Sequence, residues 1–74
     1  MLPRGIDVFE VFGAEYYVDW SRVTRGASFF VPTTATPAQV MHALGPAKRA
    51  LRIDLVARPR CEYGVYGVRV WRTR

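Results

Sequence analysis

The chain reads as an α+β fold: a small β-β-α-β-β domain, mainly antiparallel sheet with one helix on one face. Three observations predict it. Runs rich in β-branched and aromatic residues open the chain. A capped apolar stripe occupies residues 36–51. Two alternating runs then close it, separated by Tyr63-Gly64. With 74 residues there is room for one domain only, residues 1–74, since domains usually run to ~100–150 residues.

Ile6–Phe12 and Tyr16–Trp20 are strand-like, with Gly13-Ala14 between them. They form either a hairpin or one long strand bent or bulged at Gly13, so an extra N-terminal strand stays open. Ser21–Gly26 is a polar turn, and Ala27–Pro32 is a strand that Pro32 ends, because proline has no N–H for the ladder. The adjacent Phe29 and Phe30 point to opposite faces, so one enters the core and the other does not.

Thr36 is placed to cap a helix and Pro37 suits its first position. Val40, Leu44, Ala47 and Leu51 follow on one stripe. Gly45-Pro46 interrupts that stripe without changing its phase, which predicts two short helices or one kinked helix packing as a unit. Ile53–Arg58 alternates as a half-buried strand, and Pro59 argues for an edge or an early end. Val65–Arg72 is the last strand. Tyr66, Val68 and Val70 lie on one face, and Val65, Arg69 and Trp71 on the other. The simplest way to bury the helix stripe is a single sheet with the helix across it.

Half of the residues are hydrophobic, too many for a chain kept disordered by lack of apolar surface. One cysteine (Cys61) and one histidine (His42) exclude a disulfide framework and the usual four-ligand zinc sites. No apolar run is long enough to span a bilayer, so no membrane role is expected. The first seven residues lack a signal-peptide layout, so a reducing cytoplasmic setting is expected. His42 has no partner group in sight, Cys61 no base at a recognisable spacing, and Ser21 and Ser28 no nucleophile-elbow context. Gly64 and Gly67 suit turn geometry better than phosphate cradling. Neither an enzyme nor a cofactor is expected.

Charge is distributed unevenly. Residues 1–20 carry four acids and one base, net −3, whereas residues 21–74 carry ten bases and two acids, net +8. Ten of the eleven bases are arginine, whose planar fork pairs with phosphate or carboxylate and stacks on flat rings. Genome-wide arginine usage and solubility are the plain alternative. Arg69 and Trp71, on one face of the last strand, would set a cation beside an aromatic platform on which bases stack. Arg58, Arg60 and Arg72 join them if the last two strands pair. Lys48, Arg49 and Arg52 add a helical cluster, which also complements the helix dipole. The plainer alternative is that Trp71 is a core or rim residue, that the arginines keep the terminus soluble, and that Asp19 or Glu15 on a neighbouring strand neutralises the hairpin arginines.

Three segments share a further feature: Ser28-Phe29-Phe30-Val31-Pro32, Ala47-Lys48-Arg49, and Gly64-Val65-Tyr66-Gly67-Val68-Arg69-Val70-Trp71-Arg72. Together they resemble a group of short, uncharacterised tailed-bacteriophage proteins over about residues 22–74. Gly45-Pro46 departs from the continuous helix of that group, and residues 1–20 fall outside the match. The resemblance implies a small accessory gene product in the host bacterial cytoplasm and no particular chemistry. Three functions follow as expectations. The first is nucleic-acid binding (DNA or RNA) through Lys48, Arg49, Arg52, Arg58, Arg60, Arg69, Trp71 and Arg72. The second is a protein-binding inhibitor of a bacterial host or defence machine, such as an anti-CRISPR or host-enzyme blocker, with Phe9, Phe12, Tyr16 and Tyr17 as anchors. The third is a homodimeric interaction module.

Overall fold

The computed structural model describes residues 5–74. Residues 1–4, on which part of the signal-peptide reading rests, lie outside the described residues. The opening runs form a hairpin of β1 (Ile6–Val11) and β2 (Ala14–Asp19), with Val11 opposite Ala14. The turn is Phe12-Gly13, and both residues have positive φ, 52° and 76°. That backbone pair makes a tight turn whose twist matches the flanking strands. The alternative of one long bent strand therefore falls.

A short 3₁₀ turn, Trp20–Arg22, follows, held by Asp19, whose carboxylate accepts from the Ser21 N–H. Then come β3 (Ser28–Pro32), α1 (Pro37–Leu51), β4 (Leu55–Glu62) and β5 (Val65–Arg72). The Thr36 hydroxyl accepts from the Gln39 N–H at 3.2 Å, and the Gln39 side chain accepts from the Thr36 N–H at 2.8 Å. This reciprocal pair fixes where the helix begins.

The helix runs unbroken through Gly45-Pro46, so the expectation of two short helices does not hold. Pro46 is exposed, so the carbonyl one turn back that it leaves without a donor can turn to water. Val40 and Leu44 are buried, whereas Leu51, the last member of the stripe, is 47% exposed.

The strands divide into two antiparallel sheets, β1-β2 and β3-β5-β4, in place of the single sheet expected. The eight residues from Trp20 to Ala27 carry the chain away from β2 before β3 begins, and the hairpin meets β3 through side chains. The Tyr16 hydroxyl donates to the Pro32 carbonyl at 2.6 Å, and Trp20 meets Phe29 edge-on at 5.8 Å. Because β3 and β4 both run antiparallel to β5, they are parallel to each other. Helix α1 is their crossover, with β5 inserted between them as a split β-α-β unit.

The core lies on one side of the larger sheet, where Val31, Val68, Val70 and Leu55 meet Val40 and Leu44 of the helix. Phe29 packs on that side and Phe30 on the other, which settles the question of the paired phenylalanines. β4 is an edge strand and continues three residues past Pro59 to Glu62, since an edge leaves one side of the backbone unpaired. Among the described residues no helix is long and apolar enough to cross a membrane.

Two positions carry unusual backbone demands. A Cβ on Gly67 would overlap the Val31 carbonyl oxygen and the Phe30 ring, so only glycine lets β3 and Phe30 close over β5. The β4–β5 turn repeats the first hairpin's geometry, with Tyr63 at φ 54° and its side chain fully exposed. Gly67→Ala is expected to cost about 1–3 kcal/mol in chemical denaturation, the usual cost of overpacking. Tyr63→Asn is expected to gain about 0.5–1 kcal/mol, because asparagine tolerates left-handed backbone and no packing is lost.

Candidate functional site

Among the described residues no helix or strand packs over the side of the β3-β5-β4 sheet away from the helix. Strand register sets its rows: Ser28, Trp71 and Val56; then Phe30, Arg69 and Arg58; then Pro32, Gly67 and Arg60. The Phe30 ring fills the gap over Gly67, and the Arg69 guanidinium sits 5.8 Å from that ring.

Arg69 is a clamp across all three strands. Its Nε and Nη2 donate to the two Glu62 carboxylate oxygens, each at 2.6 Å, and its Nη1 donates to Ser28 Oγ at 2.9 Å. Bidentate guanidinium–carboxylate pairs of this geometry are among the stronger charge-assisted contacts. The hydrogen bonds from Arg69 hold the Glu62 carboxyl below its usual range against a smaller opposing effect of partial burial, with the Arg69 and Arg60 charges adding to the lowering. The same pair raises Arg69.

The other arginines of this face are looser. Arg60 is half exposed, with its Nε 4.0 Å from Glu62 and its guanidinium 5.9 Å from the centre of the Trp71 ring. Such an exposed cation–π contact is worth about 0.5–1 kcal/mol. Arg58 is exposed, lies directly across from Arg69, and has no carboxylate partner among the described residues.

The half-buried Trp71 sits in an open, largely apolar depression of about 530 Å3, lined also by Arg25, Gly26, Val56, Arg58, Arg72 and Thr73. Arg25 was not singled out from the sequence. It arrives because the Gly26 N–H donates to the Arg72 carbonyl at 2.7 Å and the Arg72 N–H to the Ala27 carbonyl at 2.9 Å, extending the β3–β5 ladder past β3. Arg25 too is exposed and without a carboxylate partner among the described residues.

The eight cations and aromatics read from the sequence do not converge. Arg58, Arg60, Arg69 and Trp71 share the outer face. Arg72 is at its rim, where its guanidinium donates to the Val23 and Arg74 carbonyls, each at 3.0 Å, and so ties the loop before β3 to the C-terminal residue. Lys48 and Arg49 are in the last turn of α1, which packs on the opposite side of the sheet, and Arg52 is the left-handed residue that caps the helix's C-terminal end. Lys48 and Arg49 therefore lie on a different side of the sheet from Arg58, Arg60 and Trp71.

The acidic opening segment does not neutralise the hairpin arginines either. Asp19 pairs with Arg22 at 3.6 Å, Asp54 pairs with Arg74 at 3.0 Å, and Glu62 supplies the clamp. Of the aromatic anchors considered, Phe9 is buried and Tyr16 is half-buried and hydrogen-bonded, leaving Phe12 and Tyr17 exposed. Arranged this way, the outer face can neutralise anions and stack a flat ring. No family model, curated protein or solved structure matches the chain.

The clamp has a pH signature. Glu62 titrates below its ordinary 4.5 when folded, so over that window the folded chain binds fewer protons than the unfolded chain and stability rises with pH. The contribution is complete above the ordinary value and disappears as pH falls through the lowered one. Glu62→Gln is expected to unfold more easily at neutral pH and to lose part of the wild type's acid-side slope between about pH 5 and pH 2. Denaturation curves across that range are the check, and identical slopes would remove the clamp.

Proposed function

We propose that this is a non-enzymatic nucleic-acid-binding protein that works through the outer face of the β3-β5-β4 sheet. The observation that carries the reading is that two exposed guanidiniums without a carboxylate partner among the described residues, Arg25 and Arg58, line the same depression as the Trp71 indole. In a basic chain of net charge +5, cations without internal partners are free to neutralise phosphates. Arg60 joins them, since its ties to Glu62 and Trp71 are long and exposed. Arg69 contributes shape, not free charge. Lys48 and Arg49, on the helix, and Arg52, at its C-terminal cap, do not line the Trp71 depression and are left out of the contact set. The likeness of residues 22–74 to short tailed-bacteriophage proteins favours an accessory role in the cytoplasm of an infected bacterium.

Affinity built on phosphate neutralisation falls with salt. Fluorescence anisotropy with labelled oligonucleotides is expected to show binding at low salt that weakens as salt rises. Arg58→Ala and Arg25→Ala are each expected to weaken binding and to reduce the salt slope by about 1. Lys48→Ala and Arg49→Ala should change it much less. Absence of binding at low salt would overturn the reading.

A second reading, a protein-binding inhibitor of a bacterial machine, is favoured by one different observation. Phe12 and Tyr63 occupy positive-φ turn positions where small polar residues are at home, and both side chains are exposed. The Tyr16–Pro32 hydrogen bond and the Pro32–Gly67 register bring the two turns to the same end of the molecule. Exposed aromatics of this kind serve as interface hot spots. A stoichiometric partner that survives nuclease treatment, and is lost from the Phe12→Ser/Tyr63→Ser double variant, is the result this reading requires. Recovery of nucleic acid alone would count against it.

A further inference from the structure

We infer that the outer face selects single-stranded over duplex nucleic acid, by seating one unstacked base against Trp71 between Arg25 and Arg58. The inference rests on the reading of this face as a nucleic-acid surface and deepens it. The depression offers an indole, the Val56 side chain and the Gly26 backbone to a flat apolar ring. A base within a duplex shows only its edges and cannot bring its ring face to the indole without leaving the stack.

The two cations reach the indole from opposite sides of β5. Arg25 comes from the loop leading into β3, and Arg58 comes from β4. A strand crossing the sheet from the β3 side to the β4 side therefore meets a guanidinium, the ring and a second guanidinium in order. Arg60, now 5.9 Å from the ring centre, is the group the base displaces, and its long side chain then remains available to a phosphate. Glu62 keeps Arg69 out of this count through the clamp. Three free cations imply a salt slope of roughly −2 for a single strand.

The test compares a short oligothymidylate with a mixed-sequence duplex of equal length, by anisotropy at matched salt. The expected result is single-strand binding about tenfold or more tighter than duplex binding. Trp71→Leu should abolish that preference and leave a weak, salt-dependent binding to both. Trp71→Phe should retain much of the preference, and circular dichroism on both variants shows that they are folded. Equal affinity for the two forms, or a preference untouched by Trp71→Leu, overturns the inference while leaving the face a nucleic-acid surface. Binding of neither form to the wild type removes the underlying reading as well.

Discussion

One helix cannot cover both sides of a sheet. Among the described residues the single α-helix lies on one side of β3-β5-β4, where Val40 and Leu44 meet Val31, Val68 and Val70. The other side has to be held together by its own side chains. Gly67, Phe30, Arg69 and Glu62 do this in sequence. The glycine opens a gap, the phenylalanine fills it, the guanidinium lies near the ring, and the carboxylate fixes the guanidinium across the strands. Without that arrangement the face would carry opposed arginines, Arg58 against Arg69, with nothing between them.

The same constraint explains why part of the charge is free. Residues 21–74 hold ten bases and only two acids. Glu62 is committed to Arg69, and Asp54 to Arg74. Asp19, from the acidic opening segment, reaches Arg22 and no further. Arg25, Lys48, Arg49, Arg52, Arg58 and Arg72 are left without a carboxylate among the described residues, and of these Arg25 and Arg58 are exposed beside an indole that the helix does not cover. A surface that solved its packing with one internal ion pair thus retains cations without a carboxylate partner among the described residues.

Much of this was legible in the sequence where local chemistry decides local structure. Thr36-Pro37 with its apolar stripe marked the helix, and the alternation of Val65–Arg72 assigned both faces of β5 correctly. The first turn was ambiguous because Gly13 suits a bulge as well as a turn, and it was set one residue late, at Gly13-Ala14, because Phe12 gives no turn signal; only the pairing of β1 with β2 shows that Phe12 takes a positive φ. Gly45-Pro46 looked like a break because exposure, which decides whether a lost hydrogen bond matters, is a tertiary property. Layering is tertiary too. Lys48, Arg49 and Arg52 were grouped with the hairpin arginines because sequence spacing does not reveal that the helix takes the opposite side. Arg25 was passed over for the same reason, since its place beside Trp71 depends on a ladder joining residues far apart in the chain.

The account depends on the uncovered face being where a polyanion lands. Two-dimensional ¹H–¹⁵N NMR, with a single-stranded oligonucleotide titrated into the labelled protein, maps that location directly. Shifts concentrated on the backbone around Arg25, Arg58 and Arg60 and on the Trp71 indole N–H, with the helix signals of Lys48 and Arg49 unmoved, are the result the account requires. Shifts concentrated on the helix, or on the Phe12 and Tyr63 turns, would contradict it.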